Sequence, residues 1–172
     1  MVNPIPEKVV AYNVYDDQEK LVGISEEVTL PTVEFMTETI SGAGIAGEYE
    51  SANLGHTSSM TIEIPFRTLF EPSFRLMRPG GRTITLRASQ QSYDVAAGKI
   101  QSRPLKVTLK VIPKAIELGK LAAGKMTETK NTLEVVYIKI EENSRVVLEI
   151  DKLNFICVID GQDVLAEVRS HI

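Results

Sequence analysis

Gly42-Ala43-Gly44-Ile45-Ala46-Gly47 is the stretch of this chain with the most definite chemical suggestion, because it matches G-x-G-x-x-G. In a dinucleotide site such glycines let the backbone approach a pyrophosphate held at the start of the following helix. That chemistry requires a strand before the loop and a helix after it. Here Glu48, Glu50 and Asn53-Leu54-Gly55 follow, and then a strand pattern. Two carboxylates at the phosphate position repel the ligand, and the chain lacks β-α-β alternation. The glycines are therefore expected to form a flexible loop, or one ordered against a neighbouring subunit.

Other reactive side chains are equally sparse. Cys157, the single cysteine, lies in the apolar run Leu153, Phe155, Cys157, Ile159, which reads as a small core residue and permits no internal disulfide. His56 and His171 carry no motif context, and no ligand set with zinc spacing is present. The carboxylate pairs Glu26-Glu27 and Glu141-Glu142 read as solvated turns. Arg82, Arg87, Lys106 and Lys110 fall on polar strand faces without interleaved aromatic platforms, which argues against nucleic-acid recognition. The expectation is a protein with no catalytic residue, no metal and no cofactor: not an enzyme.

Composition sets the frame for these residues. The 172 residues are 43% hydrophobic and 24% charged, ordinary values for one globular domain, here residues 1–172. No apolar run reaches the length of about 18 residues that spans a membrane. Met1-Val2-Asn3-Pro4-Ile5-Pro6 has neither a charged nor an apolar signal segment, so synthesis and folding in a bacterial cytoplasm are expected. The net charge of −4 is unevenly spread: residues 1–60 carry −8, residues 61–125 carry +8 and residues 126–172 carry −4. Either these charges neutralise one another within the folded monomer, or they leave opposite patches that guide like subunits head to tail.

Period-two alternation dominates the chain. Met60, Ile62, Ile64 and Phe66 oppose Thr61 and Glu63; Ile84, Leu86 and Ala88 oppose Thr83, Thr85 and Arg87; Leu105, Val107, Leu109 and Val111 oppose Lys106, Thr108 and Lys110. Val136, Ile138 and Ile140, then Val146, Leu148 and Ile150, continue it. These are strands with one buried face. Val9–Tyr15 and Leu21–Ile24 form a hairpin around the polar turn Asp16-Asp17-Gln18-Glu19, and Val33–Ile40 adds another strand, for about eight or nine in all. Pro113 marks an edge or a bulge within the long strand 105–118. Thr68–Glu71 resembles a capping box, and Phe70, Phe74 and Met77 follow at helical spacing, so a short helix is expected over 68–78, ended by Pro79-Gly80-Gly81. A second helical stretch runs from Val164 to Ser170. Segments 41–58 and 119–132 read as small-residue loops.

The order of these features resembles the major tail tube protein family of contractile-tailed, P2-like phages. Val28-Thr29-Leu30-Pro31 matches a V-x-L-P element after the first hairpin; Gly42-Ala43-Gly44 with Gly47 matches a G-A-G-x-x-G loop; Leu54-Gly55 and the strand from Met60 follow. Glu149-Ile150-Asp151, Asn154, Asp160-Gly161, Asp163, Leu165 and Arg169 resemble the family's E-I-D…N…N-G-x-D-x-L…R ending, with Asp160 where Asn is usual. The resemblance runs from about residue 8 to 170, and over 68–125 it is mainly one of pattern.

The resemblance implies a mainly β fold, an antiparallel β-sandwich or open barrel with one short flanking helix. It also implies hexameric rings stacked into a hollow tube, surrounded by a sheath whose contraction drives the tube through a target envelope. Partners would be further copies of the chain, the sheath, baseplate and tape-measure proteins and, in a phage virion, DNA passing non-specifically through the lumen. A headless bacteriocin particle uses the same subunit. Expected subunit-interface residues are Gly42, Gly44, Gly47, Glu48, Glu50, Leu54 and Gly55 in one segment, and Asp160, Gly161, Asp163 and Arg169 in the other. The alternative is a small β-barrel module that binds an apolar ligand in a closed cavity.

Overall fold

The computed structural model describes residues 4–25 and 27–172; Met1–Asn3 and Glu26 lie outside the described residues. The alternating segments form one antiparallel sheet. Its strands are β1 (Ile5–Asp16), β2 (Glu19–Leu21), β5 (Thr61–Phe66), β6 (Arg82–Asp94), β7 (Lys99–Glu117), β8 (Thr129–Glu142), β9 (Arg145–Asp151), β10 (Ile156–Ile159) and β11 (Gln162–Asp163). The order is β11-β10-β9-β8-β7-β6-β1-β2, and β5 pairs with β8. Strands β3 (Phe35–Ser41) and β4 (Glu48–Thr57) form a separate two-stranded ribbon. The described residues thus hold more strands than the eight or nine expected, because β4 lies in the segment read as a loop and β10 and β11 are too short to show a period.

Strand β8 is shared along one edge. Its first half, Thr129–Glu134, pairs with β5, and its second half, Tyr137–Glu142, pairs with β9. The sheet then curls until the chain after β2 meets the far edge of β5. Bridges Ile24↔Phe66 and Thr29↔Glu63 make that closure, with the Ser25 N–H donating to the Pro65 carbonyl at 3.0 Å and the Arg67 N–H to the Gly23 carbonyl at 2.9 Å. Leu21 pairs back on β1 as its pattern predicts, whereas Ile24 has already crossed to β5. Inside lie Val14, Ile62, Ile64, Phe66, Ile84, Leu109, Leu133, Val135, Ile138 and Ile150, none more than 2% exposed. Burial of each such side chain contributes about 1.5–3 kcal/mol. Cys157 sits in this core, as its apolar run predicts.

Pro113 satisfies both readings of a strand proline. Pairing of β7 with β6 ends at Val111, so Pro113 lies on a free edge, and the register with β8 shifts between Pro113 and Ala115. The charge imbalance along the chain is offset in part across strands: Arg103 pairs with Glu142, Lys106 with Glu141 and Lys114 with Glu134. Glu141-Glu142 are therefore strand-end ion-pair partners and not solvated turn residues; the turn is Asn143-Ser144, both at positive φ, as two-residue hairpins require.

Helix α1 (Glu71–Arg75) is shorter than expected, and Thr68–Glu71 is not its cap. Phe70 occupies the N-cap position without a side-chain cap, and Pro72 sits in the first turn, where its missing N–H costs nothing. The buried face carries Ser73 and Leu76, while Phe74 is 49% exposed. Asn131 of β8 donates to the Ser73 carbonyl at 2.8 Å, and Phe70 packs edge-on against Phe66 with centroids 5.4 Å apart. Arg75 and Arg82 converge on the buried carboxylate of Asp16, holding the helix over the barrel end. Helix α2 (Ala166–His171) is the second helical stretch expected over 164–170, and it starts two residues later, after a turn at Val164-Leu165.

These packing differences give opposite expectations for two phenylalanines. Phe66→Ala should destabilise the chain by about 3–5 kcal/mol, and Phe74→Ala should cost less than about 1 kcal/mol. Urea denaturation of both variants measures this.

Candidate functional site

Segment 41–58, expected as a loop, is mostly strand. Only residues 42–47 form the turn, closed by the Ile45 N–H on the Gly42 carbonyl at 3.2 Å and the Gly47 N–H on the Ile45 carbonyl at 3.1 Å. Register pairs Ile40 with Tyr49 and Glu38 with Ser51 on one face, and Thr39 with Glu50 and Ser41 with Glu48 on the other. Both faces meet solvent: Tyr49 is 55% and Leu54 58% exposed. Gly42, Gly44 and Gly47 have positive φ and open space where a side chain would go, so their constraint is backbone shape and not packing. The glycine run is followed by β4, so no helix N-terminus faces it, which excludes the pyrophosphate geometry.

The root of the ribbon is firmly held. The Ser58 N–H donates to the Glu34 carbonyl at 2.8 Å, Lys152 Nζ to the Ser58 carbonyl at 2.7 Å, and Ser59 Oγ to both Glu134 oxygens at 2.8 Å. Phe35 packs against the core.

The structure brings part of the two expected interface segments together. Gly55, at φ +65°, faces Leu165: a Cβ built there would lie 2.5 Å from Leu165 Cγ. Leu165 is only 2% exposed. Its backbone N–H donates to Asp163 Oδ1 at 3.1 Å, and Arg169 forks onto both Asp163 oxygens while donating to the Phe155 carbonyl at 2.8 Å. Asp163 and Arg169 therefore form an internal anchor that seats Leu165 under the ribbon. Leu165 is the residue that motif reading leaves off the interface, since nothing in the sequence ties it to Gly55. Asp160-Gly161 stand apart as the tight turn from β10 to β11, with Asp160 paired to exposed Arg145 at 2.6 Å.

Electrostatics follow from these contacts. The Arg169 fork first, and the Leu165 N–H after it, hold the Asp163 carboxyl below its usual range, and Asp163 in turn raises Arg169. Burial, and secondarily the Asp163 charge, pushes the Cys157 thiol up, leaving it a poor nucleophile. Burial together with the Glu149 hydrogen bond raises the Tyr137 phenol. Among the described residues no group of three or more His, Cys, Asp or Glu is placed to hold a metal ion.

A groove of about 660 Å³ opens at the end of the barrel, lined by Val9, Val10, Tyr12, Val28, Leu30 and Leu105 among others. Val9, Val10 and Leu30 are about half exposed, so it is a surface trough and not the enclosed cavity of a ligand carrier.

The model of the family described as phage tail tube protein FII matches residues 6–172. The chain belongs to that family. The tail tube protein of Escherichia phage P2 is 24% identical over 174 residues, covering 98% of each chain. In fold the chain is similar to the sheath/tube terminator of an extracellular contractile injection system, solved by cryo-electron microscopy in the extended state. That match has a TM-score of 0.55 at 14% identity and covers 79% of this chain and 96% of that one. The expected P2-like membership and mainly β tail-tube fold are thereby borne out, and the family's role is structural.

Two outcomes test the anchor. Gly55→Ala combines a positive-φ strain with the Leu165 clash and should cost about 1–3 kcal/mol, and a chain that also carries Leu165→Ala should lose less than the sum of the two single losses. Because the folded Asp163 pKa lies below the unfolded value, its stabilisation is complete above the ordinary aspartate range and is lost as pH falls through the folded value. Protection factors of the amides of α2 and of the ribbon root, that is, exchange corrected for its intrinsic pH dependence, should thus fall at acid pH in the native chain, and Asp163→Asn should abolish that fall.

Proposed function

We propose that this chain is the tube subunit of a contractile particle, self-assembling into hexameric rings that stack into a hollow tube, which crosses a target envelope when the surrounding sheath contracts. The observation that carries the reading, beside family membership, is the β3–β4 ribbon. An isolated two-stranded ribbon in water is marginal in stability. Toward its tip this one has both faces in solvent and, among the described residues, no further strand on either edge, while its root is fixed to the body. Association of like chains gives such a ribbon its missing partner.

Other surfaces support the same reading. Strand β1 pairs with β2 only over Val14–Asp16, and among the described residues no strand pairs with the outer edge of Ile5–Ala11. Exposed Ile5, Tyr93 and Ile100 lie side by side across β1, β6 and β7. Open edges and apolar patches of this kind invite uncontrolled pairing unless assembly covers them, and ring closure does so. In this reading the sheath, baseplate and tape-measure proteins are the other partners, DNA traverses the lumen if the particle is a phage virion, and the protein ends in the virion tail or a released bacteriocin particle. Gly42, Gly44, Gly47, Glu48, Glu50 and Leu54 contact neighbouring copies, and Asp160-Gly161 form a second contact.

Replacing Gly44 and Gly47 by bulky β-branched residues should stop tube growth while the barrel stays folded, since neither glycine touches the core. Negative-stain microscopy with circular dichroism reads both results. Normal tubes from the double variant would overturn the role given to the ribbon tip.

A further inference from the structure

We infer that the acidic β3–β4 ribbon of one copy docks on the basic loop 118–126 of a second copy, a head-to-tail contact; this rests on the tube reading and names the surface that receives the ribbon. Between Phe35 and Thr57 the ribbon carries Glu38, Glu48 and Glu50 and no Lys or Arg. Among the described residues none of these carboxylates has an ion-pair partner within the chain, unlike Glu134, Glu141 and Glu142 in the body. Glu48 and Glu50 share a face with Ala52, and exposed Leu54 follows in the bulge toward the root, so the ribbon is acidic toward the tip and apolar toward the root.

Loop 118–126, Leu118-Gly-Lys-Leu-Ala-Ala-Gly-Lys-Met126, has the inverse character. It contains Lys120 and Lys125 and no acid. Leu121 is 89% exposed, and Leu118 and Met126 are about half exposed. The loop is shaped by its own backbone: the Lys120 N–H donates to the Thr127 carbonyl and the Thr127 N–H to the Arg67 carbonyl, both at 2.8 Å. Arg67, whose guanidinium lies 3.9 Å from Met126 Sδ, adds a third cation beside it. The nearest acids are Glu117, already paired with Lys130, and Glu128, so the cations outnumber the carboxylates.

Among the described residues no ion pair joins the two surfaces within one chain, and their attachments to the barrel lie apart. The ribbon leaves the body at Ser58, before β5, and the loop is bonded to Arg67, just after it. Strand β5 separates them by about 20 Å at roughly 3.3 Å per residue. Complementary surfaces at opposite ends of one subunit make a heterologous contact, which propagates by repetition, and opposite charge steers its encounter and orientation.

Reversing charge on one side and then on both provides the test. Glu48→Lys with Glu50→Lys, and separately Lys120→Glu with Lys125→Glu, should each lower the sedimenting assembled fraction by about tenfold or more. The four substitutions together should restore most of it, with circular dichroism confirming the fold throughout. Independently, a Glu50→Cys chain mixed with a Lys125→Cys chain should give a bismaleimide-linked dimer in much higher yield than either chain alone, since native Cys157 is buried. Tubes that ignore both reversals, or a quadruple variant no better than either pair, overturn this docking while leaving the tube reading intact. Mixed-chain cross-links without any tubes or rings overturn the tube reading and leave the docking standing. Absence of both overturns both.

Discussion

The pairing of β5 with β8 on one side, and with the chain that follows β2 on the other, closes a curled sheet that otherwise has two free edges. Ile62, Ile64 and Phe66 point inward from β5 and are fully buried, while Glu63 on the outer face meets Lys130 of β8. The closure therefore combines a hydrophobic seal with a cross-strand ion pair. Phe66 also carries Phe70 and, through it, the start of α1. Remove this strand from its place and the barrel opens, the helix loses its seat, and the two ends of the subunit lose their fixed separation.

That separation matters for what the chain can build. The ribbon is rooted at one end of β5 by Lys152, Ser59 and the Gly55–Leu165 contact, and the loop beyond Glu117 is tied to the other end through Arg67. Much of the charge asymmetry along the chain is neutralised across β7 and β8. Among the described residues, Glu38, Glu48 and Glu50 of the ribbon and Lys120 and Lys125 of the loop take no part in such pairs. Neutralisation within the monomer, the first expectation about the charges, thus accounts for the barrel strands.

Much of the fold was legible in the sequence because the barrel strands bury one face, which imposes a period of two on Met60–Phe66, Thr83–Ser89 and Leu105–Val111. Strand β3 was legible, as the strand expected over 33–40, but β4 was not: with both its faces in solvent, Glu48, Tyr49, Glu50 and Leu54 show no alternation, and three glycines before it suggest a loop. The inward face of α1 was misread because its buried positions hold Ser73 and Leu76, while the aromatic Phe74 faces out. Asp163 and Arg169, marked from motif resemblance as interface residues, bond to each other within the subunit, a contact that the motif does not reveal. The Leu165–Gly55 contact spans residues far apart in sequence and has no local signature. The family emerged from motif order, which registers positions that turns and anchors require even where periodicity is silent.

A cryo-electron microscopy reconstruction of the particles formed by the purified chain tests the central claim most directly. The account predicts a hollow tube of stacked rings in which the β3–β4 ribbon is sandwiched between copies of the chain. A tube whose ribbons remain in solvent, or a discrete monomer under all assembly conditions with the ribbon folded back on its own barrel, would contradict it.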